Sequence, residues 1–171
     1  NYTVTSAASN GTASIDATGA WTYAPNEHFN GSDSFTVTVT DDDGHEETQV
    51  ITLTVDPVND VPTLDALSDI NINEDDPEQT VNLTGITAGG GETQVLSITA
   101  TSDNTSLIPD PTVDFDGQSS TGTLKLTPVA DQFGTATITV TVEDGGLDND
   151  LATTEDNGVM NRTVFVAVAP V

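Results

Sequence analysis

The sequence contains no cysteine, only two basic residues and no long apolar run. Without cysteine no disulfide can form, so an extracellular β protein of this composition would need metal ions in the place of disulfide staples. No stretch reaches the ~18 apolar residues of a membrane helix, and no signal peptide is present. We therefore expect no direct membrane insertion, and we interpret the chain as a segment of a longer secreted or cell-surface protein.

Acidic residues dominate the charged positions: 28 Asp and Glu against 2 Lys and Arg give a formal net charge of −26. This charge excludes nucleic acid as a partner, because phosphate binding needs basic side chains. It also excludes anionic membrane surfaces. Self-repulsion on this scale disfavours a compact state unless salt or bound cations offset it. Disorder is the alternative, but the regular pattern of apolar residues favours a folded chain.

Apolar residues alternate with polar ones in many short segments, as is typical of half-buried β-strands. Asn-Gly and Asp-Gly turn signals separate several of these segments, and no window favours a long helix. The expected fold is therefore all-β, with tandem Greek-key β-sandwich units. The predicted strands are 2–5, 12–16, 20–24, 34–40 and 46–55, then 63–67, 78–83, 94–100, 121–127, 135–142 and 161–168.

The chain repeats itself once. Tyr23-x-Pro25 and the following Phe29 correspond to Leu126-x-Pro128 and Phe133, and the run Phe35–Asp41 corresponds to Ile138–Asp144. This repeat divides the chain into units 1–58 and 59–171. The part of the first unit that precedes Pro25 is shorter than the part of the second unit that precedes Pro128 by roughly forty-five residues, which is the length of two to three strands. We therefore expect the first unit to lack strands at its N-terminal side, or to be completed by another segment, because a sandwich needs both sheets.

Between the units lies Asp56-Pro-Val-Asn-Asp-Val-Pro62, a joint with two prolines and three oxygen-bearing side chains. Proline donates no N–H to a sheet and keeps its neighbour extended, so this segment is expected to be a stiff connection. Together with Tyr23-x-Pro25, Phe29-Asn-Gly31-x-Asp33-Ser-Phe35 and Asn73-Glu-Asp75, it resembles the cadherin-like and immunoglobulin-like tandem repeats of large bacterial surface adhesins. Cadherin joints read Asp-x-Asn-Asp-Asn-x-Pro, so this joint has one polar position fewer.

The resemblance implies Greek-key sandwiches, Ca²⁺ at the joints and a role as an extender or adhesive module on the cell surface or in a secreted protein. Calcium rigidification of the joint is the main functional hypothesis. The alternative is a carbohydrate-binding module, for which Trp21 and Tyr23 could form a sugar platform, although both are expected to be core residues. Neighbouring repeats are the expected partners, and homophilic or polysaccharide contacts are left open.

Strand direction limits which carboxylates can share an ion. The strand 46–55 ends at the joint, so the loop that precedes it lies about 33 Å away and would serve a different joint. The loop after 135–142 lies at the joint end of the second unit. The metal ligands predicted for the joint are Asp56, Asn59, Asp60, Glu143 and Asp144, with Glu92 within reach.

Two further acidic clusters are weaker candidates. Glu74 and Asp75 follow the first strand of the second unit and are expected to pair with Asp131 at its opposite end. Asp41 and Asp43 would face a preceding repeat, but Asp-Asp-Asp-Gly is also a good hairpin turn. For every acidic loop, simple solvation is the alternative to metal binding. No nucleophile is paired with a base, and the isolated His28 and His45 do not make a zinc site, so we do not expect an enzyme.

Overall fold

The computed structural model describes residues 1–171 and contains only β-strands as regular elements. The chain divides into two compact units, Asn1–Val58 and Asn59–Val171. The expected all-β fold with tandem sandwich units is confirmed.

The first unit has five strands in two small sheets. One sheet has the order β1-β4-β5, and β2 pairs with β3 in a separate hairpin. Its few fully buried apolar side chains include Phe35 and Val37. The strands are β1 (Tyr2–Ser6), β2 (Gly11–Ile15), β3 (Trp21–Pro25), β4 (Gly31–Thr40) and β5 (Glu46–Val55).

A buried carboxylate holds the two sheets of the first unit together. Asp33 accepts hydrogen bonds from the N–H groups of Asn10 (2.8 Å), Ser9 (3.2 Å) and Ser34 (2.8 Å) and from the hydroxyl of Tyr23 (2.8 Å). Burial by itself would raise the pKa of Asp33, but these four donors together lower it. Burial, and then the contact with Asp33, raise the pKa of Tyr23. Asp33 is therefore stable as an anion inside the unit.

The second unit has seven strands in two facing layers. A four-stranded sheet has the order β6-β12-β11-β8 and a three-stranded sheet the order β7-β10-β9. Inward residues of both sheets, such as Leu83, Leu124, Ile138 and Val166, form one continuous core. The strands are β6 (Ile70–Asn73), β7 (Gln79–Thr84), β8 (Leu96–Ser102), β9 (Thr112–Asp114), β10 (Thr121–Leu126), β11 (Gly134–Asp144) and β12 (Val159–Ala169).

The strand predicted at 63–67 is wrong. Only Thr63 pairs, in an isolated bridge with Thr87. Two residues after Thr63, the carboxylate of Asp65 accepts a hydrogen bond from the hydroxyl of Thr84 (2.8 Å). Gly85 has φ +68°, and a side chain at this position would collide with the carboxylate of Asp65. The first strand of this unit is instead β6, which pairs in parallel with β12 and has only Ile70 and Ile72 as apolar residues.

The aromatic pair of β3 also departs from expectation. Trp21 is 45% exposed and meets Phe35 edge to face, with ring centroids 5.5 Å apart. Tyr23 is half-buried. Trp21 is therefore not a fully buried core residue.

Candidate metal centre

The start of the second unit is fastened to its own loops. The N–H of Asp60 donates to Oε2 of Glu92 (3.2 Å), and Pro62 is fully buried. Gly89 has φ +95°, and a Cβ there would lie 2.3 Å from the carbonyl oxygen of Val61. Only glycine can therefore sit under this segment, which is held against the loop between β7 and β8.

Asp144, at the end of β11, is the central group of this region and is 0% exposed. Its Oδ1 accepts three hydrogen bonds, from the amide of Asn59 (3.0 Å), the N–H of Gly146 (2.9 Å) and the N–H of Gly158 (2.8 Å). Its Oδ2 is buried and has no hydrogen-bond partner. A buried carboxylate oxygen without a donor is costly, and a cation is one way to satisfy it.

Gly158 leaves the space beside this oxygen open. A Cβ at Gly158 would lie 2.5 Å from Oδ2 of Asp144 and 3.1 Å from Nδ2 of Asn59. Any side chain at this position would fill the space next to the unpartnered oxygen.

Two amide side chains that were not predicted from the sequence also carry buried oxygens without a partner in the neighbouring loops. Gln94 donates to Oδ1 of Asn59 (2.7 Å) and to Oε2 of Glu92 (3.3 Å), while its own Oε1 is buried without a partner. Asn157 donates to Oε1 of Glu143 (3.1 Å), and its Oδ1 is likewise buried without a partner. The sequence signals that could have identified them are the position of Gln94 two residues after the predicted ligand Glu92 and the position of Asn157 directly before Gly158.

These three buried oxygens, on Asp144, Gln94 and Asn157, are all hydrogen-bond acceptors. No group of three or more His, Cys, Asp or Glu side chains is arranged to hold a metal ion. Carboxylates alone therefore do not form a site, and the amide oxygens would have to supply part of the ligand set. A mixture of carboxylate, amide and backbone oxygens is what Ca²⁺ accepts, so the donor set fits this ion.

The other residues predicted for the joint lie as follows. Asn59 and Asp60 belong to the second unit and Glu92 lies beside them, while Glu143, next to Asp144 on β11, accepts a hydrogen bond from Asn157. Asp56 follows β5 and belongs to the first unit.

The second acidic cluster lies at the opposite end of the second unit. The N–H of Asp131 donates to Oδ1 of Asp75 (3.2 Å), and the N–H of Val171 donates to Oε1 of Glu74 (3.1 Å). Asp75 and Asp131 both have positive φ, +69° and +58°. The structure thus places Asp131 beside Asp75, which follows Glu74 in the sequence, but these side chains do not form a group arranged to hold a metal ion, and none of them is buried with an unpartnered oxygen.

The remaining acidic loops satisfy their carboxylates locally. Oδ1 of Asp41 accepts the N–H groups of Asp43 (2.9 Å) and His45 (2.8 Å), as expected for the hairpin-turn alternative. In the loop after β11, the carboxylate of Asp148 accepts hydrogen bonds from the N–H of Asp150 (3.0 Å) and from the hydroxyl of Thr153 (2.6 Å).

No helix in the structure has the length and apolarity needed to cross a membrane.

Comparison with known proteins gives a family match for the first unit and structural likeness for both. Residues 1–57 match the bacterial cadherin-like domain family. No curated protein is similar enough in sequence to count as a relative. Among solved structures, human mucin-like protocadherin EC1-2 is 12% identical with a TM-score of 0.52, over 100% of this chain and 84% of that chain.

Two further structures are less similar. Domains 4 and 5 of the S-layer protein SbsC are 20% identical with a TM-score of 0.45, over 86% of this chain and 69% of that one. Protocadherin Gamma B2 domains 3–6 are 13% identical with a TM-score of 0.47, over 99% of this chain and 40% of that one. The family match confirms the cadherin-like resemblance for residues 1–57, and the likeness to EC1-2 confirms the fold.

Proposed function

We propose, from the match of residues 1–57 to the bacterial cadherin-like domain family, that the chain is a calcium-rigidified extender module of a large extracellular bacterial adhesin. Residues 1–58 would be the C-terminal part of one repeat and residues 59–171 a complete repeat. Its partners would be neighbouring repeats of the same polypeptide.

The observation that carries the proposal is the buried Oδ2 of Asp144, which has no hydrogen-bond partner. Asp144, Gln94 and Asn157 would hold Ca²⁺ with Asn59 and Glu92 beside them, and solvent or backbone oxygens would complete six to eight ligands. When bound, the ion supplies positive charge to a chain whose formal charge is −26. The residues themselves do the mechanical work, because the ion would strengthen the hydrogen-bonded attachment of Asn59 and Asp60 to Asp144, Gln94 and Glu92.

This tie restricts the chain that leaves the first unit. Residues 56–58 connect directly to Asn59, so fixing Asn59 and Asp60 limits the freedom of the whole joint. Pro57 and Pro62 already limit the backbone on either side. In the ion-free state, clustered carboxylates repel each other and the joint flexes.

A second ion at Glu74, Asp75 and Asp131 is a weaker part of the same proposal. At the far end of the second unit, Asp75 accepts the N–H of Asp131 and the neighbouring Glu74 accepts the N–H of Val171. By symmetry with Asn59 and Asp60, the residues of the next joint would contribute ligands there. We expect this site to bind Ca²⁺ more weakly than the Asp144 site, because its carboxylates are solvated.

Carbohydrate binding is the alternative function, and the exposure of Trp21 is the observation that favours it. A sugar platform would need a second exposed ring nearby, but the hydroxyl of Tyr23 is engaged by Asp33. A glycan array on the calcium-saturated chain tests this alternative directly, and selective binding that is lost in Trp21→Ala would favour it over the extender function.

Calcium titration of the full chain tests the main proposal. Extracellular modules bind with Kd of about 10⁻⁴–10⁻³ M, so about 10 mM Ca²⁺ should stabilise the folded chain by roughly 1.4–2.7 kcal/mol and raise Tm. Small-angle scattering should show a narrower distribution of extended shapes. Asp144→Asn removes the unpartnered carboxylate oxygen and should abolish both responses.

The matched control is Asp41→Asn, which changes the corresponding residue of the first unit and should leave both responses intact. If Ca²⁺ changes neither Tm nor the scattering profile of the wild-type chain, the calcium proposal fails. If Asp41→Asn removes the response and Asp144→Asn does not, the site has been assigned to the wrong unit.

A further inference from the structure

The last hairpins of the two units differ on their outer faces. Counted from the glycine that opens β4 and from the glycine that opens β11, the two ladders pair in the same register. On the side that faces away from the core, Phe165 of β12 therefore corresponds to Thr52 of β5. By the same register, Ala167 corresponds to Thr54. The second unit thus has an aromatic ring and a methyl group where the first unit has two hydroxyl side chains.

Phe165 stands on the outer face of the four-stranded sheet. Its neighbours Val164 and Val166 face the core and are both 0% exposed, whereas Phe165 is 45% exposed. One exposed apolar side chain on a sheet is common and needs no functional explanation by itself. Phe165 is informative because of the surface next to it, where small side chains follow along the same strand.

A hollow lies beside Phe165 on this face, and we call it the outer hollow. Its volume is about 450 Å³, within the range of ~300–1,000 Å³ that is usual for ligand sites. Ala167 and Ala169 form its floor, because residues two apart on a strand point to the same face and both side chains end at a methyl group. The lining also includes Asn71, Asn73, Phe133 and Thr135.

Uncharged polar side chains stand on both sides of this floor. Asn71 of β6 lies opposite Ala167 on one side, and Thr135 of β11 lies opposite it on the other. Asn73 lies opposite Ala169. All three polar side chains are exposed, and none of them is hydrogen-bonded within the protein. Their amide and hydroxyl groups are therefore free to donate to a ligand and to accept from it.

Two exposed rings bound the outer hollow. Phe133, in the loop before β11, lines it and is 65% exposed. Phe165 lies two residues before Ala167 on the same face, which is about 7 Å along the strand. Asp76 is the charged residue of the lining, and its carboxylate already accepts the N–H of Asn73 (2.8 Å). The outer hollow thus combines aromatic surface with neutral hydrogen-bonding groups.

The position of β12 in the sheet limits the kind of occupant. Because β12 lies between β6 and β11, its main-chain groups are paired on both sides, and an added peptide strand finds no free edge there. A ligand of the outer hollow must instead bond to amide and hydroxyl side chains and pack against rings. The formal net charge of −26 disfavours anionic ligands.

We propose that the outer hollow binds a neutral oligosaccharide. Hydroxyl groups of the sugar bond to the amides of Asn71 and Asn73 and to the hydroxyl of Thr135. The apolar faces of the sugar rings pack against Phe165 and Phe133, because aromatic side chains offer large apolar surfaces. The alanine floor leaves room for the sugar rings where larger side chains would exclude them.

The outer hollow is independent of the sites described above. It contains neither Trp21 nor any of the proposed metal ligands. An absence of saccharide binding would therefore overturn this inference and leave the calcium proposal standing.

Titration of the full chain with cellohexaose, xylohexaose and mannohexaose, followed by heteronuclear NMR in buffer with EDTA, tests the proposal. We expect at least one of these neutral hexasaccharides to shift the side-chain amide signals of Asn71 and Asn73 and the backbone signal of Ala167 in a saturable manner. The indole signal of Trp21, the only tryptophan, should not move. EDTA keeps the chain free of calcium, so binding under these conditions involves no metal ion.

Two variants of β12 change the outer hollow without touching the core. Phe165→Ala removes one ring and should weaken saccharide binding about ten-fold, because the aromatic contact is lost. Ala167→Ile fills the floor with a side chain that suits a strand, and should weaken binding by at least as much. Circular dichroism and Tm should show that both variants remain folded. The matched control is Thr52→Ala, at the counterpart of Phe165 in β5, which should bind as the wild-type chain does.

The proposal is overturned if none of the three hexasaccharides shifts these amide signals, or if both β12 variants bind as tightly as Thr52→Ala. It is also overturned if binding is lost in Trp21→Ala and kept in Phe165→Ala, since the sugar would then occupy the first unit. Binding that appears only after calcium is added would assign the sugar to a metal site and would equally contradict the outer hollow.

Discussion

The two units contain the same β-hairpin in different surroundings. Ile51 of β5 and Val164 of β12 occupy the same register position, but Ile51 is half-buried and Val164 is 0% exposed. The hairpins have similar alternation, so their own sequences do not account for the difference. The difference comes from β6 and β7, which only the second unit has. Burial of a strand is therefore set by what packs against it as much as by its own pattern.

The carboxylates at the ends of these hairpins show the same principle. Asp41 and Asp144 occupy corresponding positions, but Asp41 is exposed and accepts N–H groups from its own turn, while Asp144 is fully buried. Asp144 is covered by Asn59, which precedes the unit's first strand, and by Gly158 from the following loop. Whether a carboxylate at this position is buried therefore depends on the neighbouring segments that enclose it.

The largest expected effect contrasts the two cores. Ile138→Ala in the second unit removes a side chain that is 0% exposed, and should lower the free energy of unfolding by about 2–5 kcal/mol, because both the transfer and the cavity terms apply. Ile51→Ala removes the same atoms from a half-buried site in the first unit and should cost roughly half as much. Urea unfolding followed by circular dichroism and by Trp21 fluorescence measures both changes.

If Ile51→Ala lowers the free energy of unfolding as much as Ile138→Ala does, the expected difference in burial between the two hairpins is contradicted. Because Trp21 lies in the first unit, Ile51→Ala should move the fluorescence transition, whereas Ile138→Ala should move mainly the circular dichroism transition. A shift of the fluorescence transition by Ile138→Ala alone would mean that the two units do not unfold independently.

Much of this architecture could be predicted from alternation alone. Strand β5 has the predicted bounds, and the other long strands differ by one to three residues at their ends. Strands β6 and β9 were not predicted, because alternation of apolar and polar residues is not distinctive over the four residues of β6 or the three residues of β9. It also misplaced a strand at 63–67, where one isolated bridge from Thr63 and one backbone hydrogen bond from Asp65 to Thr84 form in place of a ladder.

The candidate site was harder to predict than the fold. Acidic residues and strand direction pointed to Asn59, Asp60, Glu92 and Asp144, which lie in one region of the second unit. Gln94 and Asn157 were missed because an uncharged amide carries no compositional signal in a sequence with so many carboxylates. Their importance depends on burial and on the lack of a partner for their oxygens, which only the structure provides.

The next largest expected effect concerns Asp33, a buried carboxylate at a register position where the second unit has alanine. Asp33 corresponds by register to Ala136 of β11. Because its four donors lower the pKa of Asp33 in the folded state, it contributes stability above its unfolded pKa of about 3.9, and this contribution is lost as the pH falls through the lower folded value. Asp33→Asn should lower the urea midpoint of the fluorescence transition at pH 7 and flatten its dependence on pH below about 4.

Tyr23→Phe provides the milder companion variant, since it removes one of the four donors and leaves the carboxylate in place. Its acid dependence should be shallower than that of the wild-type chain and steeper than that of Asp33→Asn. An unchanged pH profile in Asp33→Asn would show that this carboxylate does not link folding to protons.

The smallest expected effect lies in the turn before β10 of the second unit. The hydroxyl of Ser119, followed by the N–H groups of Gln118 and Ser119, lowers the pKa of Asp116 to about 2. The folded pKa lies below the unfolded value, so the contribution of Asp116 is complete above about pH 4 and is lost between about pH 4 and 2. Ser119→Ala should raise the pKa of Asp116, measured by NMR titration of its carboxyl carbon, and move the loss to higher pH. Because Asp116 lies at an exposed turn, the urea midpoint at pH 7 should change little. A clear drop there would mean that this turn supports the second unit as strongly as Asp33 supports the first, and would remove the contrast between a solvated and a buried carboxylate.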